Sequence, residues 1–227
     1  MKIFIGYDRL QSEASAVCEY SLRKHSSTDL DIVHLNQTEL RQNQDYFRRD
    51  EGSTEFAYTR FLVPYLSKFQ GWSMFVDSDF LFTEDINRLF NKVMSTASVQ
   101  DHAVFVCKHP EYTPKNSIKF YGQEQKALPR KNWSSLMLFN NEHLSTRNLT
   151  KMLVNNVTPQ YLHRFGWCDL PEIGHFSFMW NWFVGEYDGG EPVPFGIHYT
   201  NGGPFNGVHG QDYEDIWLRY RDELNSL

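Results

Sequence analysis

Cysteine is scarce in this 227-residue chain, and the three that occur, Cys18, Cys107 and Cys168, stand far apart with no C-x-x-C pair. That pattern argues against a disulfide framework or a cysteine zinc site and fits a reducing compartment. An excess of positive charge is also missing. The net charge is −6 and the pI near 5.8, which argues against nucleic acid as a partner, because such ligands select a basic footprint. No apolar run reaches the ~20 residues that span a bilayer; residues 176–184 come nearest. The N-terminus lacks a charged region followed by an apolar one, so the expected location is cytoplasmic, with peripheral membrane contact left open. Without a secretory signal, the sequons at Asn36, Asn132, Asn148 and Asn156 read as chance matches. No repeat or low-complexity stretch divides the chain, and nothing in it sets an oligomeric state.

What the chain does have is length enough for one α/β domain over residues 1–227 and an aromatic content of 16%. Aromatic side chains on that scale fill a core and also line grooves where sugar or nucleobase rings stack. Lys2 to Ile5 reads as a buried strand ending at Gly6. Leu10, Ala14, Val17, Cys18 and Leu22 follow at the spacing of one helix face. Residues 31–35 form a second strand, and 36–52 a polar loop with one helical turn at most. Ser53 is placed to cap a helix through Phe56, Arg60 and Val63 that Pro64 ends or kinks. Arg60 on that apolar face needs an anion: a ligand, or an internal carboxylate. Further strands are expected at 73–76, 103–107, 134–140 and 195–200, with helices at 83–90, 148–154 and 212–224. Residues 109–131 hold Pro110, Pro114 and Pro129 and read as a long loop. Strands alternating with helices predict a mainly parallel, helix-covered sheet.

In such sheets ligands sit beyond the carboxyl ends of the strands. Asp8, Asp77 and Asp79 all fall at those ends. Asp77 and Asp79, with only Ser78 between them, repel each other unless a cation lies nearby, and oxygen ligands of this kind suit Mg, Ca or Mn. The bland alternative is a surface turn, where Asp and Ser are common. His198, near the end of a strand-like run, is by itself a core histidine as readily as a ligand. As a third ligand beside the acids it tilts the choice towards Mn over Mg. The glycines after it, Gly202 and Gly203, form a turn whose backbone N–H groups are suited to cradling phosphate.

Taken in order, these segments resemble the retaining glycosyltransferases of family 8 and their relatives with the GT-A fold, a Rossmann-like single domain, and within them a bacterial branch. Ile3 to Asp8 resembles the nucleotide-binding start, Ala57 to Leu62 the Tyr-Ala-Arg-Leu segment, and Phe75-Val-Asp-Ser-Asp the D-x-D strand. Asn132-Trp-Ser-Ser-Leu-Met-Leu-Phe-Asn resembles the run that contacts the donor sugar, Trp180-Asn181 a W-N pair, and His198 to Phe205 the H-x-x-G-x-x-K-P-W motif. The resemblance implies a hexosyltransferase that moves a sugar from a nucleotide diphosphate, a UDP-sugar, to a glycan or other acceptor hydroxyl. It implies Mn2+ or Mg2+ on Asp77, Asp79 and His198. Tyr7 and Asp8 would lie near the base, Arg60 at the donor, and Ser78 on the ribose. Asn132, Trp133 and Ser134 would hold the sugar, and Gly202 and Gly203 the diphosphate.

Glu172, with Asp169, falls where relatives carry an acidic D-Q-D-type segment; it reads as a nucleophile or electrostatic stabiliser, or as a helix-start acid after Pro171. The motif lysine corresponds here to Gly203 and the Trp to Phe205, leaving the diphosphate to the metal, the glycine turn and Arg60, Arg130 or Lys131. Three other classes compete. A haloacid dehalogenase-type phosphatase carries its acid pair on the first strand with Thr or Val close behind, and here Phe80 follows. A sugar nucleotidyltransferase opens with a glycine-rich loop, where this chain has Gly6-Tyr-Asp-Arg. The third is a catalytically silent nucleotide-sugar or carbohydrate-binding protein.

Overall fold

The computed structural model describes residues 1–50, 52–109, 130 and 132–227. Most of the loop expected over 109–131, including Lys131, lies outside the described residues. The chain opens with strand β1 (Lys2–Gly6), a 3-10 turn at Arg9–Gln11 and helix α1 (Ser12–His25). Next come β2 (Asp31–Leu35) and α2 (Gln37–Gln42), then a 3-10 turn at Thr59–Leu62 that runs into the single-turn helix α3 (Val63–Leu66). β3 (Trp72–Val76), β4 (Phe80–Phe82), α4 (Ile86–Met94) and β5 (Val104–Val106) follow. The second half contributes β6 (Leu136–Asn140), α5 (Leu144–Arg147), α6 (Lys151–Asn156), α7 (Pro159–His163) and β7 (Ile173–His175). β8 (Trp182–Phe183), β9 (Gly196–His198) and α8 (Glu214–Asn225) complete it.

Six strands form one sheet in the order β2-β1-β3-β6-β5-β7. Only the pairs that β6 makes, with β3 and β5, are antiparallel. The fold is therefore the mixed, mainly parallel α/β sheet that the sequence predicts. Both faces are buried, which is why its strands are near-continuous apolar runs. Phe4, Phe75, Val104, Val106, Met137 and Phe139 pack on one face against Phe56, Phe61, Phe165 and Trp167. Ile3, Ile5, Met74, Val76, Phe105, Leu136 and Leu138 pack on the other against α1, α4 and β4. A smaller sheet, β4-β9-β8, is closed by α1 and α8 through Val17, Leu81, Ile197, Tyr199 and Trp217.

Several local expectations shift for identifiable reasons. Leu10 is 59% exposed and outside α1, because the Asp8 carboxylate accepts the Leu10 N–H at 2.9 Å and winds residues 9–11 into a turn of their own. Pro64 begins α3 rather than ending a helix; in the first turn its missing N–H has no partner to lose. Residues 53–58 form turns, not a Ser53-capped helix. Within 36–52, the Asn36 side chain caps a short helix by accepting from Thr38 and Glu39 N–H. At the start of β9 only glycine fits, since a Cβ on Gly196 would stand 2.3 Å from the Trp180 carbonyl oxygen.

Strand direction decides what meets where. β1, β3 and β5 all point their carboxyl ends the same way, and antiparallel β6 begins there. Residues 7–8, 77–79, 107–109 and 132–135 therefore share one end of the large sheet. β9, antiparallel to β4, pairs His198 with Phe80 and delivers the imidazole to that same end.

Candidate metal and donor site

The turn between β3 and β4 is pinned on both sides by backbone. Asp77 N–H donates to the Ser135 carbonyl at 2.9 Å, and Tyr199 N–H donates to the Asp79 carbonyl at 3.0 Å. Alternation then sends Asp77 and Asp79 to one side and Ser78 to the other. Ser78 is fully buried and its hydroxyl donates to Gln11 Oε1 at 2.7 Å. Its hydroxyl therefore ties the turn to α1's entry.

Arg60 is buried behind this turn. Its Nη1 lies 2.8 Å from Asp77 Oδ1 and donates to the Ser134 carbonyl at 2.8 Å, while Nε donates to the Phe56 carbonyl at 3.3 Å. The guanidinium also lies over the Phe56 and Phe75 rings. Burial lowers its pKa, and Asp77 and Asp79 only partly offset that. Of the two anions open to Arg60 on sequence, the structure supplies the internal carboxylate. Arg60 fixes Asp77 from inside.

Asp77, Asp79 and His198 each present one ligand atom, and these atoms lie within 4.8 Å of one another. An octahedral ion with ligands at about 2.1 Å holds neighbouring ligands about 3 Å apart and opposite ones about 4.2 Å apart, so the cluster is of the right size. Among the described residues it is the one group of three or more such side chains. His198 stacks on Phe80 with centroids 4.3 Å apart. Its Nδ1 bonds Asn181 Oδ1 at 2.9 Å, so that nitrogen carries a hydrogen, and in the neutral ring Nε2 keeps its lone pair. Nε2 faces Asp79 Oδ1 at 3.3 Å. Two carboxylates and an imidazole that converge in this way are a donor set that fits a divalent cation.

The other expected site residues divide. Tyr7 is half-buried, edge-on to His34. Asp8 uses both oxygens on backbone, Oδ1 on Leu10 N–H and Oδ2 on Glu55 N–H at 3.0 Å, so it ties the site's wall together. Asn132 reaches Thr200 Oγ1 at 3.5 Å. Trp133 donates to the His109 carbonyl at 3.4 Å, with Lys108 and Arg130 over its ring. The Ser134 hydroxyl bonds His163 Nδ1 at 3.0 Å. Burial first, and then the Arg60 charge, push the pKa of that imidazole down to about 3, so it is neutral.

The glycine turn differs from expectation. Gly202 adopts φ +97, which favours glycine, but its N–H donates to the Tyr199 carbonyl at 2.8 Å. The Gly203 N–H donates to Asn206 Oδ1 at 2.8 Å. Both amides hold the turn itself together. The predicted phosphate cradle on Gly202 and Gly203 is corrected on that ground.

Glu172 and Asp169 need the largest correction. β7 runs parallel to β5 with Ile173 opposite Val104, so the residues before β7 sit at the end of the sheet opposite the metal cluster. There Glu172 Oε2 accepts from Asp169 N–H at 2.8 Å and from Ser145 Oγ at 2.7 Å, completing a capping box. Burial opposes ionisation, yet these hydrogen bonds hold the Glu172 carboxyl below its usual range. It is the helix-start acid. Glu172→Gln is expected to keep turnover within about twofold. Glu172→Ala is expected to lose about 1 kcal/mol of stability in urea unfolding, the usual cost of a lost cap. A hundredfold loss of turnover in a stably folded Glu172→Gln would restore a catalytic role.

Site positions to which the sequence gave no role are Asn181 and Ser135, which stand behind His198. The Trp180-Asn181 pair and the run from Asn132 were the only signals for them.

No family model matches the chain. Protein CDI of Arabidopsis thaliana is 40% identical to it over 232 residues, covering 99% of this chain and 87% of the plant protein. Among solved structures, the glycosyltransferase GlyE of Streptococcus pneumoniae TIGR4 superposes with a TM-score of 0.63 at 15% identity, over 99% of this chain and 62% of GlyE. The galactosyltransferase LgtC, in complex with donor and acceptor sugar analogues, gives 0.59 at 11% identity over 100% of this chain and 96% of LgtC. The chain thus spans less than two thirds of GlyE but nearly all of LgtC. At these identities the likeness shows the fold, that of the GT-A glycosyltransferases.

Proposed function

The chain belongs to the family of Protein CDI from Arabidopsis thaliana, and on that premise we propose that it is a metal-dependent glycosyltransferase moving a sugar from a nucleotide diphosphate, a UDP-sugar, to an acceptor hydroxyl with retention of configuration. The observation that carries the proposal is the buried face-off of His198 Nε2 and Asp79 Oδ1 at 3.3 Å, with Asp77 beside them, at the carboxyl end of the central sheet. Asp77, Asp79 and His198 would hold Mn2+ or Mg2+, which as a Lewis acid stabilises charge on a leaving diphosphate.

Every other contribution comes from the chain. Arg60 holds Asp77 in place, and Asn181 keeps Nε2 of His198 turned towards the carboxylates. The β3–β4 turn, fixed by Ser135 and Tyr199, keeps the two carboxylates converged. The Gly202 and Gly203 amides are engaged within the turn and Gly203 stands where the motif lysine would, so the cation is the main group proposed for the diphosphate. Retention of configuration and the UDP base rest on the resemblance of Ala57 to Leu62, Phe75 to Asp79 and His198 to Phe205 to family 8.

The test is a panel of nucleotide sugars incubated with the protein and Mn2+, with release of the nucleoside diphosphate as the signal. Cation-dependent release from at least one UDP-sugar is expected, and its suppression by chelator. Absence of turnover with every donor, while Mn2+ still binds, would favour the silent binding protein.

A further inference from the structure

Hydrogen has to be counted along one buried line of side chains. The Asn132 carbonyl can only accept. Ser135 Oγ lies 2.7 Å from it, so the serine's single hydrogen is committed there. The Ser135 oxygen is then left as an acceptor, and the Asn181 side chain meets it at 2.9 Å with its NH2 group. That orients the amide, and its oxygen must face His198 Nδ1 at 2.9 Å. An amide oxygen only accepts, so Nδ1 carries a hydrogen, and in the neutral ring Nε2 is the bare nitrogen. Ser135, Asn181 and His198 are all buried, so water does not stand in for any member. The opposite orientation of Asn181 would ask one serine hydrogen to serve two acceptors.

From this chain of bonds we infer that Asn181 and Ser135 are positioning residues that lock the neutral His198 ring in the Nδ1–H form, so that the backbone carbonyl of Asn132 dictates that the lone-pair nitrogen is the one facing Asp77 and Asp79. This rests on the metal site proposed above and goes beyond it. The consequence is a coupling. Asn132 stands in a left-handed conformation, φ 60, next to Trp133, and Asp77 N–H binds the Ser135 carbonyl. The turn at 132–135 therefore sets both the height of one carboxylate and the tautomer of the imidazole. A ligand imidazole whose remote nitrogen is fixed in this way loses no ordering freedom when a cation arrives; partners of this kind are typically worth about 10–100-fold in metal affinity.

Asparagine is the side chain this place requires. It is the one short group that presents a donor to Ser135 and an acceptor to His198 at once. An aspartate keeps the acceptor and forfeits the donor; a leucine of similar size keeps neither.

The first test needs no cation. Protein with 15N-labelled histidine is prepared free of metal, and the ring nitrogens of His198 are assigned by NMR as the pH is raised to about 9. A proton retained on Nδ1 is expected; a bare Nδ1 with the proton on Nε2 overturns the inference whatever the metal does. The second test compares Mn2+ binding by calorimetry in wild type, Asn181→Asp and Asn181→Leu. Asn181→Asp should keep the Nδ1 proton and bind within about threefold of wild type. Asn181→Leu should show Nε2 protonation and bind about 10–100-fold more weakly. Unchanged affinity and an unchanged tautomer in Asn181→Leu would overturn the positioning role. Failure of the wild type itself to bind Mn2+ would instead overturn the metal site, while the tautomer measurement on that same protein still decides the inference. If Asn181→Leu does not fold, the wild-type spectrum decides alone.

Discussion

Asp79→Asn is expected to lower Mn2+ affinity at least about 100-fold, roughly 2.8 kcal/mol, and turnover by about 10³, while the metal-free protein unfolds at the same temperature or higher. The asymmetry follows from the 3.3 Å contact between Asp79 Oδ1 and His198 Nε2. Nε2 of the neutral ring is an acceptor and faces a carboxylate oxygen, a contact that favours a positive charge at this place. Asparagine places an NH2 where the carboxylate oxygen stood. It donates to Nε2 of the neutral ring and keeps the shape of the side chain, while one negative charge beside Asp77 is gone. Loss of a metal ligand thus comes without loss of fold, which separates a functional role from a structural one. Calorimetry with Mn2+ and a thermal melt in chelator check the two halves. Unchanged affinity would remove Asp79 from the site, and a large drop in melting temperature would make it a structural residue.

Arg60→Leu is expected to destabilise the metal-free protein by about 3–5 kcal/mol. The buried guanidinium lies 2.8 Å from Asp77 Oδ1 on a half-buried carboxylate, and it also satisfies the Ser134 carbonyl. Removing it takes the paired cation from the Asp77 charge and the donor from that carbonyl. Adding Asp77→Asn to Arg60→Leu removes that charge, and the double variant is expected to recover about half of the loss. Arg60→Lys recovers less, because a point charge on a flexible stem does not reproduce the planar fork that serves Asp77, Ser134 and Phe56 together. Urea unfolding in chelator provides the values. A loss below 1 kcal/mol in Arg60→Leu would mean that Asp77 is solvated without its partner, and Arg60 would return to the list of donor-binding groups.

The parts of the site that were legible in the sequence are those fixed by strand ends. Asp77 and Asp79 follow an apolar run, and His198 closes another, so their common location needs only that both strands point at one place. Arg60 was legible as a residue that required an anion, though not as to which. What was hidden depends on long-range register. Glu172 lies next to a proline at a turn, a pattern equally suited to either end of a sheet. Only the pairing of Ile173 with Val104 places it at the far end. The glycine turn has the composition of a phosphate cradle, but the Gly203 amide is taken by Asn206, three residues on, through a turn that glycine content does not specify. Ser78 sits between two ligands, and alternation turns its hydroxyl to Gln11. The direction of β6 was hidden as well, since a strand buried on both faces has the same apolar run whichever way it points. Leu10 keeps helical spacing with Ala14 and Val17 yet falls outside the helix, because Asp8 captures its N–H first.

The central claim is that Asp77, Asp79 and His198 together hold one divalent cation. The most direct measurement is titration of the wild-type protein with Mn2+ in the presence of UDP, followed by the paramagnetic resonance of free and bound ion. One bound ion per chain is predicted, with a nitrogen coupling from the His198 imidazole in the pulsed spectrum. No bound ion at millimolar Mn2+, or an ion whose spectrum carries no nitrogen, would contradict it.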